Sequence, residues 1–313
     1  MSSVFFKRHQ RAAQAMTRPP AMRLLQVITL LAWLLPSSMA LAQSSSSVWL
    51  VSKGDNQLYV GGTLHLLSAR DYPLPVPFDV AFAAADTLVF ETDIGALDSA
   101  QVQARLQSMV MLPAGTTLQA SLSAQTYEAL RTYLAATGMD VRAFNQIKPA
   151  MVAMVISVLE LQRLGLGEAG VDEHYYRQGL RAGKSIGWLE SLDEHLAYVA
   201  SMGEGYEDDF LRYTLDDMEN VEPMVDSMVA SWRSGDMAAL DEHTVQPMRD
   251  VFPSVYATLL VERNRNWLPQ IERMLVTPEV ELLLVGVAHL AGQDGVLQML
   301  KHKGYRVEQL ALP

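Results

Sequence analysis

The sequence contains no cysteine among its 313 residues. This absence excludes disulfide bonds, thiolate zinc sites, a catalytic cysteine and a lipid-modified cysteine. The pattern His-Glu-x-x-His is also missing, which excludes the helix-borne zinc site of common metalloproteases. Without thiolates, a metal site built from nitrogen and oxygen donors suits Mn, Co, Zn or Fe, and the sequence does not select among them.

Acidic residues are missing from the first 42 positions, which hold five basic residues. A short apolar run over 24–35 follows, and Ala40-Leu41-Ala42 supplies the small-x-small pattern of a cleavage site. We therefore predict a signal peptide over residues 1–42, cleaved after Ala42. The apolar run is too short for a comfortable membrane span, although an uncleaved anchor is the alternative. Translation can begin at Met1 or Met22.

Basic residues are scarce in the remaining chain. Residues 43–313 hold 19 lysines and arginines against 35 acidic residues, a formal charge of −16. Such a chain is a poor candidate for binding nucleic acid or anionic membranes. An exported protein without disulfides suits a bacterial periplasm, and after cleavage we expect no membrane span.

The pattern Gly-x-x-His occurs twice, each time at the end of an apolar run typical of a buried strand. The copies run from Gly62 to His65 and from Gly286 to His289. A glycine just inside the end of a strand lets a ligand or another backbone come close. Each histidine falls where its strand stops, and open parallel sheets bind ligands at that edge.

The same elements follow both histidines. The first is followed by a helix over 78–85 and a strand over 87–91, the second by a helix over 293–301 and a strand over 305–310. Two such units can join one parallel sheet and place both imidazoles at one edge.

We therefore predict an α/β fold with two βαβ-like halves, residues 48–95 and 278–313, forming one mixed central sheet. A large, mainly helical insertion over 99–275 lies between them and covers the sheet, with a short strand over 184–189. The whole of 43–313 is predicted to be a single domain.

Glu91 ends the predicted strand after the first histidine. A carboxylate at that position lies on the same sheet edge as His65, where it can serve as a third ligand or as a general base. With His289 it completes a plausible site for one divalent cation.

Further segments match a known family in order along the chain. They are Phe90-Glu91-Thr92, Gly170-Val-Asp172, Trp188-Leu-Glu190-Ser191, Glu262-Arg263-Asn264, Val285-Gly-Val-Ala-His289 and Gly304-Tyr-Arg-Val. Together with the paired Gly-x-x-His pattern they resemble the TraB/GumN family, which includes the Tiki metalloproteases, over most of the chain after the leader. The resemblance implies metal-dependent hydrolysis, most simply of a peptide bond in a peptide or protein substrate.

The resemblance also suggests roles for other residues. Arg263 or Arg265 can contact a carboxylate or carbonyl, since guanidinium makes paired hydrogen bonds. The family has Arg-Asn at this place, which favours Arg263 and Asn264 as the groups that steady the oxyanion. Asp172 is expected to cap its helix or to orient another residue of the site, and Glu190 is expected to face the site.

Other readings stay open. The paired histidines can hold a haem or a metal for transport without chemistry. The acidic helical insertion can be a partner surface, which makes the protein a binding or signalling module. The sequence leaves the substrate, the metal and the oligomeric state undetermined.

Two further patterns are misleading. Asp-Glu-His occurs at 172–174, 193–195 and 241–243. Adjacent helix residues do not share a face, so we interpret these tripeptides as polar helix surfaces. Gly183-Lys-Ser-Ile-Gly187 fits a nucleophile elbow, but its strand follows the serine instead of preceding it.

Overall fold

A computed structural model describes residues 45–97 and 99–312. The signal peptide predicted over 1–42 lies outside the described residues. The strands are β1 (Val48–Lys53), β2 (Asn56–Thr63), β3 (Leu66–Ser68), β4 (Thr87–Phe90), β5 (Leu166–Ala169), β6 (Ser185–Trp188), β7 (Glu281–Gly286) and β8 (Arg306–Gln309).

The helices surround the strands and fill most of the middle of the chain. They are α1 (Val76–Ala84), α2 (Ala100–Val110), α3 (Ala124–Ala136), α4 (Pro149–Arg163), α5 (Val171–Ala182), α6 (Leu192–Ala200), α7 (Glu207–Asp217), α8 (Val221–Ser234), α9 (Met237–Leu240), α10 (Gln246–Val251), α11 (Pro253–Tyr256), α12 (Arg263–Met274) and α13 (Val296–His302). Among these helices, none combines the length and the apolar character that a membrane crossing requires.

The predicted mixed central sheet is confirmed. Its strands lie in the order β6-β4-β7-β2-β1-β8. β7 pairs in parallel with β2 on one side and β4 on the other, and β6 runs parallel to β4. β1 is antiparallel to both of its neighbours, β2 and β8. The last strand of the chain is thus joined to the first, which unites the two predicted halves.

The central strand β7 is apolar on both faces because both faces are covered. Leu282 and Leu284 point into a core that includes Phe78 of α1, whereas Leu283 points into a second core with Ile271 of α12. All three leucines are essentially inaccessible. A nearly continuous apolar run is the pattern expected of a parallel strand buried on both sides.

The insertion between the halves is mainly helical, as predicted, and it also supplies two strands. α3, α4 and α7 pack around their own core, with Leu130, Ile156 and Leu211 fully buried. β5 pairs with β3, and β6 forms one edge of the central sheet. Because β6 runs parallel to β4, β7 and β2, its carboxyl end lies at the same end of the sheet as the two Gly-x-x-His segments.

The helical run before α12 is not uniform. The sequence predicts one helix over 255–275, and the structure places a π-helical stretch, Ala257–Glu262, directly before Arg263. A π-helical stretch shifts the rotation of everything after it, and such stretches are frequent at functional sites. Here Arg263 and Asn264 become buried, whereas Arg265 is exposed.

Candidate metal centre at the carboxyl edge of the sheet

His65 lies two residues beyond the end of β2. Its Nδ1–H donates to Oδ2 of Asp172, in the first turn of α5, over 2.9 Å. Gly170 makes this contact possible, because a Cβ there would lie 2.4 Å from the His65 carbonyl oxygen. The Asp172 carboxylate raises the pKa of His65 to about 9. Two-thirds of the His65 side chain, 66%, is exposed.

His289 follows β7 and is buried, in contrast to its counterpart. Its Nδ1–H donates to Oδ1 of Asn264 over 2.7 Å. The Asn264 amide nitrogen donates to the carbonyl oxygens of His289 and Asp294. Burial lowers the pKa of His289 to about 3, so its imidazole is neutral at pH 7. Oδ1 of Asn264 thus orients this imidazole, while its amide nitrogen fixes the Asn264 side chain to the backbone.

Gly286 lies between the two histidines and Glu91. Its amide N–H donates to Oε1 of Glu91 over 2.6 Å. A Cβ on Gly286 would lie 3.2 Å from that oxygen, 3.8 Å from Nε2 of His65 and 3.7 Å from Cδ2 of His289. Nε2 of His289 is 3.9 Å from the same Glu91 oxygen. The structure therefore brings together the three residues that the sequence predicts as metal ligands.

Arg263 links the acidic groups behind this space. Its guanidinium binds both Glu91 and Glu190, the latter through Nε at 3.1 Å and Nη2 at 2.7 Å. Nη1 donates to Nε2 of His289 over 3.1 Å and to the Leu259 carbonyl over 3.4 Å. The side chain is 9% exposed, and its nitrogens are engaged by the protein itself.

The electrostatic environment keeps Glu91 ionised. Burial alone would raise the pKa of this carboxyl, but the positive potential of His289, Arg263 and His65, together with the Gly286 N–H, holds it well below its usual range. A neutral His289 carries no charge at pH 7, so Arg263 and the protonated His65 are the neighbours that lower the pKa of Glu91 at that pH.

Glu190 and His195 form a second pair beside Glu91. Glu190 accepts from Nδ1 of His195 over 2.8 Å and from the Trp267 indole N–H over 3.0 Å. Among the described residues, the group whose ligand atoms lie within 4.8 Å of one another, and which could hold a metal ion, is Glu91, Glu190 and His195. His65 and His289 are not part of this group. Arg263 already binds both carboxylates of this group.

A cavity of about 400 Å³ opens beside these groups. Its walls include His65, Glu91 and His195. Two of its threonines, Thr63 and Thr92, have buried hydroxyls without a hydrogen-bond partner among the described residues, as has Oδ1 of Asp172. Buried polar atoms usually have partners, so these three oxygens are exceptions next to the cavity. A cavity of about 500 Å³ near Phe252 contains none of these residues.

The remaining sequence-derived candidates fall into two groups. Gly62 is a packing position, since a Cβ there would lie 2.8 Å from Val287, and its carbonyl accepts from the Trp232 indole. The members of the second group lie at the site, where each contacts another site residue; they are Arg263, Asn264, Glu190 and Asp172. The role of Arg263 and Asn264 in stabilising the oxyanion stays a prediction.

The sequence reasoning missed His195. We interpreted its tripeptide as a polar helix surface, yet His195 is 22% exposed and bound to the buried Glu190. A usable signal was its place in the first turn of α6, directly after Glu190 and the Ser191 cap. His243, in another copy of the tripeptide, is exposed as predicted.

Comparison with known proteins shows the family of this chain. Residues 47–309 match the family described as the TraB/PrgY/gumN family. The chain is 23% identical over 252 residues to the uncharacterized protein YbaP of Escherichia coli K12, covering 79% of this chain and 89% of YbaP. YbaP of Shigella flexneri matches to the same extent. No solved structure matches significantly. The family match covers most of the chain, and the protein therefore belongs to the TraB/PrgY/gumN family.

Proposed function

We propose that this protein is an exported, metal-dependent hydrolase that cleaves peptide bonds, with a divalent cation held by His65, Glu91 and His289. The arrangement of the two histidines supports this most strongly. Each uses Nδ1 to bind a fixed oxygen, of Asp172 or Asn264. Nε2 of His65 borders the space above Gly286, and Nε2 of His289, which accepts from Arg263, lies 3.9 Å from Oε1 of Glu91. Metal-binding histidines are typically oriented in this way by a carboxylate or carbonyl on the other ring nitrogen.

The donor set fits a cation with mixed nitrogen and oxygen ligands, namely Mn, Co, Zn or Fe. The alternative group of Glu91, Glu190 and His195 fits less well. Arg263 already places a buried positive charge against both of its carboxylates. A metal ion there would have to displace the guanidinium from both carboxylates, whereas a metal ion above Gly286 would have to displace its Nη1 contact with Nε2 of His289 and could use Oε1 of Glu91, which Arg263 does not bind.

A bound divalent cation would polarise the carbonyl group of the peptide bond to be cleaved and would lower the pKa of a bound water. The protein residues then divide the remaining tasks. Glu91 suits the role of ligand better than that of general base, because its lowered pKa makes it a weak proton acceptor. His195 suits proton transfer, since Glu190 fixes its Nδ1–H and leaves Nε2 for a proton at the cavity wall.

Arg263 and Asn264 have positioning roles in this proposal. Arg263 orients both carboxylates, and Asn264 fixes the Nδ1–H tautomer of His289. Stabilisation of the oxyanion by Arg263 requires that one of its present contacts be exchanged for substrate.

The first experiment measures the metal content and peptide-library cleavage of residues 43–313. We expect about one divalent ion per chain and metal-dependent cleavage, both lost in the His65→Ala, His289→Ala double variant. The matched control is the double variant His243→Ala, His302→Ala, which removes two exposed histidines and should change neither readout.

The outcomes separate the proposal from its alternatives. Metal uptake and cleavage that survive the His65→Ala, His289→Ala changes show the proposal to be wrong. Metal or haem uptake that depends on both histidines, without any cleavage, favours a carrier. Export is tested separately by N-terminal sequencing of the secreted chain, where we expect Gln43 as the first residue.

A further inference from the structure

β6 is an edge strand that ends at the candidate metal centre. Within the central sheet of the described residues, β4 is its sole neighbour. Two residues after its end comes Glu190, whose amide donates to the Glu91 carbonyl over 2.9 Å. At roughly 3.3 Å per residue, the end of β6 lies only about 7 Å along the backbone from the acidic groups of the site.

The free side of β6 offers backbone hydrogen-bonding groups. Leu189 N–H donates to the Phe90 carbonyl of the neighbouring strand over 3.0 Å. Alternate residues of a parallel strand bond to the same neighbour, so Ser185 and Gly187 also bond towards β4. Ile186 and Trp188 therefore direct their N–H and C=O groups away from the sheet.

The two edges of the sheet differ in how they are protected. β8, at the other edge, carries a charged pair in which Arg306 donates to Glu308 over 2.7 Å. Charges, prolines and bulges are the usual means by which proteins block pairing at an edge. β6 reads Ser-Ile-Gly-Trp and has neither charge nor proline, and its Trp188 side chain is largely exposed, at 47%.

We propose that an extended peptide segment of the substrate pairs with β6 as an added strand, with Trp188 as a side-chain contact, and runs from there into the cavity beside His195. This inference rests on the proposed peptidase function and names how its substrate binds. Strand addition gives affinity through main-chain hydrogen bonds and so accepts varied sequences. A second copy of this chain is a poorer occupant, because the strong acidic charge of residues 43–313 makes two copies repel each other.

The test compares Ile186→Pro with Ile186→Ala in residues 43–313. Both remove the same side chain, but only proline removes the outward N–H, and proline is tolerated at such a position of an edge strand. The readout is capture of an immobilised random decapeptide library by metal-free protein. We expect Ile186→Pro to weaken capture at least tenfold and Ile186→Ala to change it less than threefold. Hydrogen exchange at 185–190 should slow when library peptides are added to the wild type.

Several results would overturn the inference. One is equal capture by the proline and alanine variants; another is exchange at 185–190 that the peptides leave unchanged. A dimer that Ile186→Pro dissociates, with peptide capture unchanged, would assign the edge to self-association. If Ile186→Pro does not fold, a library methylated on alternate backbone nitrogens takes its place, and undiminished capture of that library refutes strand addition.

The experiment also separates this inference from the proposed function. Capture that depends on the β6 backbone, in a protein that neither binds metal nor cleaves peptides, supports strand addition and refutes hydrolysis. Metal-dependent cleavage, together with peptide capture that does not change when Ile186 is replaced, supports hydrolysis and refutes strand addition.

Discussion

Replacing Arg263 by methionine removes the positive charge between two buried carboxylates while largely keeping the side-chain volume. In the wild type the guanidinium binds Glu91 and Glu190, and all three side chains are nearly inaccessible. Removing one partner of a buried ion pair typically costs about 3–5 kcal/mol, because the remaining charge is left without compensation. We expect Arg263→Met to lower the free energy of unfolding by this amount at pH 7.5.

The loss should depend on pH, with a sign set by the carboxylates. In the wild type the pKa of Glu91 is lowered, so its contribution to stability is present above the ordinary glutamate pKa and is lost as the pH falls. Without Arg263 the buried carboxylates take up protons more readily. The deficit of the variant, that is, the difference in free energy of unfolding between wild type and Arg263→Met, should therefore shrink as the pH falls from 7.5 to 5.

Urea denaturation of metal-free residues 43–313, followed by tryptophan fluorescence, measures both quantities. Arg265→Met is the matched control, because Arg265 is exposed two residues further along α12, and its loss should cost no more than about 0.5 kcal/mol. A deficit for Arg263→Met below about 1 kcal/mol, or one equally large at pH 5, would refute the reasoning.

Three further predictions concern a buried acid and two residues of the candidate metal centre. Burial raises the pKa of Glu281, at the start of β7, to about 7. The native state therefore retains a proton that the unfolded chain releases, and the free energy of unfolding falls as the pH rises towards 8. Glu281→Gln should thus stabilise the protein by about 2–3 kcal/mol at pH 8 and by less than about 1 kcal/mol at pH 4. The exposed Glu242→Gln should change stability little at either pH, and urea midpoints at both pH values check this. Gly286→Ala places a methyl group 3.2 Å from Oε1 of Glu91 and should weaken metal binding at least tenfold in calorimetric titrations, whereas Gly187→Ala, whose nearest neighbour is 3.7 Å away, should leave it unchanged. Asn264→Leu removes the acceptor of the His289 Nδ1–H and should weaken metal binding by about 10–100-fold; an unchanged affinity would show that this contact does not orient the ligand.

The sequence by itself determined the elements that build the sheet. Apolar runs ending in Gly-x-x-His predict β2 and β7, and the strands predicted after each copy are β4 and β8 of the mixed central sheet. Periodicity and the glycine positions suffice here, because a strand buried on both faces has a local signature that does not depend on its partners.

The tertiary structure alone decided how the polar side chains at the end of that sheet contact one another, and that His195 is among them. The π-helical stretch before Arg263 turns this residue inwards and leaves Arg265 outside, and no local pattern distinguishes the two arginines. His195 joins the site only because β6 pairs with β4 and carries Glu190 to the same edge as Glu91. Contacts of this kind join residues about a hundred positions apart, and they depend on strand order and helix rotation, which hydrophobic periodicity does not encode.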